Sequence, residues 1–171
     1  ALPEGASELV QGTLSAAKRG GRLLNRIAEM TGQRTLRPRA TDMHALLSEL
    51  KILASPSLPQ GLGLSVLDHT PDVLLLLDAG KLQDALLNLI LNARDACGVS
   101  GQITVTAHVV GQVWLEISVG DTGPGFSPEA LKNALNPFFT TKGSEGSGLG
   151  LPMVYDMAKS AGGDMRVSNT V

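Results

Sequence analysis

Leu86-Leu87-Asn88-Leu89-Ile90-Leu91-Asn92-Ala93-Arg94-Asp95-Ala96 is the stretch around which the rest of the chain can be arranged. Asn88, Asn92 and Asp95 stand at i, i+4 and i+7, so in a helix they share one face. Leu86, Leu87, Leu89, Ile90 and Ala93 cover the remainder. With Asp78 as a cap, the pattern predicts an amphipathic helix from Lys81 to about Cys97. A polar stripe on an otherwise apolar helix faces something wet and specific. An asparagine amide oxygen is a neutral, hard ligand, suited to a Mg2+ ion that already carries phosphate oxygens and water. Taken alone, the stripe is read equally well as a binding face or as amides that are merely solvent-facing or satisfied in the core.

Working outward, Thr41-Asp42 caps a short helix from Met43 to about Ala54, and Pro56, Pro59, Gly61 and Gly63 mark a loop. Leu62–Leu67 and Val73–Leu77 read as strands, joined at His69-Thr70-Pro71-Asp72. Downstream, Gln102–Val110 and Val113–Val119 alternate with period two around Gly111 and predict a hairpin. A glycine-rich stretch from Gly120 to Gly150 follows. A helix from Leu151 to about Ser160 ends at Gly162-Gly163, and Met165–Ser168 predicts the start of a last strand. This irregular alternation predicts an α+β fold, a two-layer sandwich of a mixed sheet and about three helices. Ahead of it, Glu4 to about Thr31 predicts a long helix. Val10, Leu14, Ala17, Gly21, Leu24 and Ala28 form its heptad seam, which needs a partner helix to be buried. The expected division is residues 1–37 and residues 38–171.

Composition narrows the function. The chain has 171 residues, 43% of them hydrophobic and 18% charged, enough for one packed unit and unlike a disordered chain. Aromatic residues are 3%, which argues against a stacking platform for single-stranded nucleic acid. Lys+Arg of 14 against Asp+Glu of 16 leaves a net charge of −2, so no strongly basic face is expected to grip nucleic acid. The longest plain aliphatic run, Val73–Leu77, is too short to span a bilayer. Cys97 is the single cysteine, and no secretory signal opens the chain. The expected setting is cytoplasmic, with no membrane contact by this chain.

Two further stretches carry chemistry. Asp121-Thr122-Gly123-Pro124-Gly125-Phe126 follows a predicted strand directly. A carboxylate at a strand end can accept a hydrogen bond from the exocyclic amine of adenine, where guanine offers an oxygen. Gly123 and Gly125 let backbone approach a flat ring; in isolation the stretch is an ordinary turn. Gly143-Ser144-Glu145-Gly146-Ser147-Gly148-Leu149-Gly150-Leu151 then leads into a helix. Alternate glycines free N–H groups at a helix N-terminus, where the dipole favours anions, giving a phosphate cradle and a flexible lid. It is neither the dinucleotide fingerprint nor a Walker loop, because no strand precedes it and no Gly-Lys-Ser/Thr follows. Lys142 at its edge can reach a phosphate as a point charge. Asn136-Pro137-Phe138-Phe139-Thr140-Thr141-Lys142 supplies two aromatics that either anchor the lid or touch a partner.

In this order the elements resemble the nucleotide-binding signatures of the GHKL superfamily, specifically the catalytic ATP-binding domain of bacterial sensor histidine kinases. Asn88 and Asn92 match the N box, Asp121-Thr122-Gly123-Pro124-Gly125 the first glycine box, Pro137 to Lys142 the F box, and Gly146-Ser147-Gly148-Leu149-Gly150-Leu151 the second glycine box. Met153-Val154-Tyr155 and Gly162-Gly163-Asp164 also sit where the family has similar residues. The resemblance covers about Asp42 to Val171 and implies the GHKL (Bergerat) ATP-binding fold. Arg19-Gly20-Gly21-Arg22-Leu23-Leu24 through Arg37-Pro38 looks like the second helix of the family's dimerisation and histidine-phosphotransfer hairpin. That implies a homodimer when the full hairpin is present.

The resemblance further implies roles. Asn92 holds Mg2+, Asn88 positions phosphate or metal-bound water, and Asp121 reads adenine. Gly123 and Gly125 border the ring, while Lys142, Gly146, Ser147, Gly148, Leu149 and Gly150 surround the phosphates. Asp95 is taken as a site residue, with pairing to Arg94 or solvent as the alternative. The implied function is transfer of the ATP γ-phosphoryl group to a histidine and on to an aspartate in a response-regulator receiver domain. His44, His69 and His108 fall in a linker helix, a loop and a strand, so no phosphoacceptor is expected in this chain. GHKL ATPases place a water-activating Glu where Asn88 stands, and an amide is no general base near neutral pH. That leaves the ATPase disfavoured, and a non-catalytic scaffold that binds a response regulator as the alternative. The F box departs from the family in reading Leu135-Asn136 ahead of its proline. The last strand also ends at Val171, where the family has one more, so an exposed sheet edge is expected.

Overall fold

A computed structural model describes residues 36–143 and 146–169. The helix predicted over Glu4–Thr31 lies outside the described residues. The described elements, in chain order, begin with β1 (Arg39–Thr41), α1 (Met43–Ala54), β2 (Gly61–His69), β3 (Leu75–Leu77) and α2 (Ala79–Cys97). They continue with β4 (Ser100–Val110), β5 (Trp114–Asp121), α3 (Pro128–Asn133) and α4 (Gly150–Ser160).

Helix α2 starts where the sequence says it should. The Asp78 carboxylate accepts a hydrogen bond from the Lys81 N–H at 3.1 Å and another from the Arg37 N–H at 2.9 Å. Leu86, Ile90 and Ala93 are buried, so the apolar face turns inward and the Asn88–Asn92–Asp95 face turns away from the core. Helix α1 is capped likewise by Asp42, which accepts from the His44 and Ala45 N–H groups at 2.9 and 3.2 Å. It buries Met43, Leu46, Leu47, Leu50 and Ala54 against α2 and the sheet.

The sheet has the order β2-β4-β5, parallel between β2 and β4 and antiparallel between β4 and β5. Ile103, Val105 and Ala107 of β4 are fully buried beneath α1 and α2, which accounts for the period-two pattern. The β4–β5 turn has positive φ at Gly111 (60°) and Gln112 (62°), and the Val113 N–H donates to the Val110 carbonyl at 3.2 Å, as a tight hairpin turn demands. Register pairs Ile103 with Asp121. One residue further, the Thr122 N–H donates to the Gln102 carbonyl at 3.1 Å and the Gln102 N–H to the Thr122 hydroxyl at 2.9 Å. Asp121 is thereby fixed at the last rung, beside the C-terminal end of α2.

The layered α+β arrangement agrees with expectation, and three details differ. The predicted strand Val73–Leu77 is shortened to Leu75–Leu77 and pairs with β1 in a separate antiparallel ribbon. Ser127 and Pro128 open a short extra helix, with the Ser127 hydroxyl accepting from the Ala130 N–H at 3.1 Å. Met165–Ser168 is not a strand among the described residues. Asn169, just beyond that segment, bonds the first glycine box through its side chain.

The N–H groups of Arg37, first, and Lys81, second, hold the Asp78 carboxyl below the ordinary aspartate range. A depressed carboxyl stabilises the fold while ionised, so its contribution is present above the unfolded-state value and disappears as the pH falls through the folded-state value. In urea unfolding, Asp78→Ala is expected to lower stability by about 0.5–2 kcal/mol near neutral pH. The difference from wild type should shrink as the pH drops below about 4. A gap independent of pH would contradict the cap.

Candidate functional site

The outward stripe of α2 is the floor of the site. Asn88 and Asn92 are half-buried on it, and Asp95 lies one turn further toward the C-terminus. Asp95 is a two-sided carboxylate. Oδ1 accepts from Arg94 Nε at 2.9 Å and Nη2 at 2.6 Å, while Oδ2 accepts from Lys142 Nζ at 2.7 Å. Partial burial pushes its pKa up, but the Lys142 and Arg94 hydrogen bonds outweigh burial and hold it below the ordinary range. Lys142 Nζ also donates to Asn92 Oδ1 at 3.3 Å. Asp95 therefore shows the Arg94 pairing given as its alternative, together with a bond to Lys142.

The first glycine box docks on the end of the same helix. Asp121 Oδ1 accepts from the Gly123 N–H at 2.8 Å, which leaves Oδ2 of this exposed side chain for another donor. A Cβ on Gly123 would stand 2.7 Å from Asp121 Oδ1 and 3.1 Å from the Ala96 Cβ, so only glycine lets the loop lie this close to α2. Beyond it, Asn169 grips Phe126: its Oδ1 accepts from the Phe126 N–H and its Nδ2 donates to the Phe126 carbonyl, both at 2.8 Å.

The second glycine box is held by the F box. The Phe138 N–H donates to the Gly148 carbonyl at 2.9 Å, and both residues sit at positive φ, 67° and 63°. A Cβ on Gly148 would overlap the Phe138 backbone. Gly146 faces the Thr140 hydroxyl, which also accepts from the Lys142 N–H at 3.1 Å. Ser147 is half-buried and Leu149 is fully buried, so the segment is anchored where α4 begins. A Cβ on Gly150, at the start of α4, would lie 3.1 Å from Asn92 Nδ2. The N-terminus of α4 and the amide of Asn92 thus border one space. Phe138 is 62% exposed and Phe139 half-buried, so of the two aromatics one is outward and one packs.

Asn92, Asp95, Lys142 and Gly150 converge, and Asp121 and Gly123 join them at the far end of α2. Asn88 shares the face one turn earlier. Asn169 and the Ala96 contact are participants that sequence reasoning missed, because their partners Phe126 and Gly123 are distant in the chain. Thr140, quoted in the F box without a role, accepts from the Lys142 N–H two residues on. Asn92 Oδ1 accepts from the Lys142 ammonium, and among the described residues there is no cluster of three or more His, Cys, Asp or Glu that could hold a metal. The histidines lie elsewhere. His44 Nδ1 pairs with Asp68 at 2.5 Å, His108 Nε2 is 3.8 Å from Glu116, and His69, expected in a loop, ends β2.

This fold and this site define a GHKL-type nucleotide-binding domain. The chain belongs to the family described as histidine kinase-, DNA gyrase B-, and HSP90-like ATPase, which matches residues 77–171. It is 34% identical over 167 residues to sensor histidine kinase ZraS of Escherichia coli (strain K12), covering 96% of this chain and 35% of that protein. The full-length ShkA structure in complex with AMPPNP superposes with a TM-score of 0.80 at 26% identity, covering 95% of this chain and 35% of that one. Histidine kinase ThkA, in complex with response regulator protein TrrA, shares the fold with a TM-score of 0.78 at 22% identity, covering 99% of this chain and 49% of that one. The chain spans about a third or less of the length of the curated relatives it matches. Among the described residues no helix is long and apolar enough to cross a membrane.

Asn169→Ala should raise the hydrogen-exchange rate of the Phe126 amide about tenfold, the equivalent of one lost hydrogen bond. Amides in β4 should be unaffected. An unchanged Phe126 rate would deny Asn169 its role in holding the glycine box.

Proposed function

We propose that this chain is the ATP-binding catalytic part of a sensor protein-histidine kinase, transferring the γ-phosphoryl group of ATP to a histidine. The observation that carries the reading is the convergence of Asn92, Asp95, Lys142 and the start of α4 on one end of α2, with Asp121 exposed at the other border. Asp121 Oδ2 accepts from the adenine amine, and Gly123 lets backbone border the ring. The N–H groups at the start of α4 and the Lys142 ammonium receive phosphate oxygens. Mg2+ held through Asn92 would offset charge on the phosphoryl group in flight.

Asn88 supports transfer over hydrolysis. It occupies the position where the superfamily's ATPases carry a glutamate, and its amide takes no proton from water. Water attack is slow, and a neutral imidazole nitrogen is the better nucleophile. None of the three histidines of this chain is assigned as the acceptor, and residues 1–37 are assigned, by resemblance alone, to the dimerisation and phosphotransfer hairpin. The catalytic domain is residues 38–171. Dimerisation through that hairpin, onward transfer to the receiver aspartate of a response regulator, and a cytoplasmic setting belong to the same proposal. The sequence similarity to a sensor histidine kinase and the fold shared with ShkA support it.

Asp121→Asn tests the reading. The asparagine keeps an oxygen for the Gly123 N–H, so the loop stays folded, but presents an amine to the adenine amine. Calorimetric titration with Mg2+-ATP should show affinity at least about tenfold weaker, the loss of a charge-assisted hydrogen bond. Thermal unfolding should match wild type. Equal affinity in both proteins would remove Asp121 as the adenine reader.

A further inference from the structure

Lys142 occupies a revealing position. Its ammonium lies 2.7 Å from Asp95 Oδ2 and 3.3 Å from Asn92 Oδ1, the oxygen assigned above to the divalent cation. We propose that Lys142 is the internal counter-cation of Asn92 and Asp95, and that a metal–nucleotide complex must displace its ammonium from Asn92. The proposal rests on the nucleotide-binding reading and adds to it the order of events at this oxygen.

Three observations carry it. First, the position is imposed from both ends. Asp95 is fixed by two hydrogen bonds from Arg94, and the Lys142 backbone is fixed by the Thr140 hydroxyl. Second, the ammonium and a divalent ion cannot share Asn92 Oδ1. A magnesium ion sits about 2.0–2.1 Å from its oxygen ligands and carries its own shell, and two positive charges on one neutral oxygen repel. Third, the pair can open. Its side chains are 36% and 35% exposed, so water screens the attraction and can solvate both charges on release. Lys142 belongs to the segment whose Phe138 bonds Gly148, so vacating Asn92 also releases one tie between α2 and the second glycine box. The freed ammonium then faces the incoming phosphate oxygens.

Zero-length carbodiimide coupling reads this directly, because it joins an amine and a carboxylate in contact as an amide. The full wild-type chain, without nucleotide, should give the Asp95–Lys142 linked peptide by mass spectrometry. Adding Mg2+ with AMPPNP should reduce that peptide at least fivefold. The Lys159–Asp164 pair, 2.8 Å apart and remote from the cluster, serves as the internal standard and should couple equally in both states. If the Asp95–Lys142 link persists while calorimetry shows the analogue bound, displacement is overturned and the nucleotide site stands. If Lys159–Asp164 couples and Asp95–Lys142 never does, the counter-cation is overturned. If no analogue binds, the nucleotide site falls and displacement with it.

Discussion

Helix α2 packs Leu86, Ile90 and Ala93 into an aliphatic core shared with α1 and β4, and that packing leaves its rotation no freedom. Every other feature of the site inherits the constraint. With the apolar face committed, Asn88, Asn92 and Asp95 must face outward together, and whatever binds there meets two amides and a carboxylate in a row. A few degrees of roll would cost buried area on one side and expose amides to the core on the other. The site is thus fixed by the burial of aliphatic side chains that never touch a ligand.

The glycines around α2 serve approach as much as flexibility. Gly123 brings the first loop against Ala96, and Gly150 brings the start of α4 against Asn92. In both places a methyl group would hold the walls apart. The positive φ of Phe138 is a local strain, whereas Gly148 takes its positive φ at no steric cost, and the two are joined by the Phe138 N–H to Gly148 carbonyl hydrogen bond. The walls are therefore built by contact with one helix, while the charges across the cluster, Lys142 and Arg94 on Asp95, lie at the surface and exchange with solvent.

What the sequence made legible was whatever is local or ordered. The spacing of Asn88, Asn92 and Asp95, the caps at Asp42 and Asp78, and the β4–β5 hairpin all depend on near neighbours, and each was readable to within a few residues. The glycine boxes were weak singly and persuasive only as an ordered set. The failures share a cause. Asn169 reaches Phe126 across 43 residues, and no spacing rule announces a side chain that caps a distant loop. The three-residue β1–β3 ribbon is too short to show periodicity, and its strands are nearly as far apart in sequence. Met165–Ser168 alternates like a strand, yet alternation specifies a face and not a partner. The pairing of Lys142 with Asp95, across 47 residues, escaped for the same reason: a long, exposed cation chooses its carboxylate only once the fold has brought one near.

The function of this domain depends on where a nucleotide lies relative to α2. A crystal structure of the chain grown with Mg2+ and a non-hydrolysable ATP analogue decides it. The purine is expected against Asp121 Oδ2, the phosphates at the start of α4, and the metal on Asn92 Oδ1. Density for the analogue on any other surface would contradict that placement.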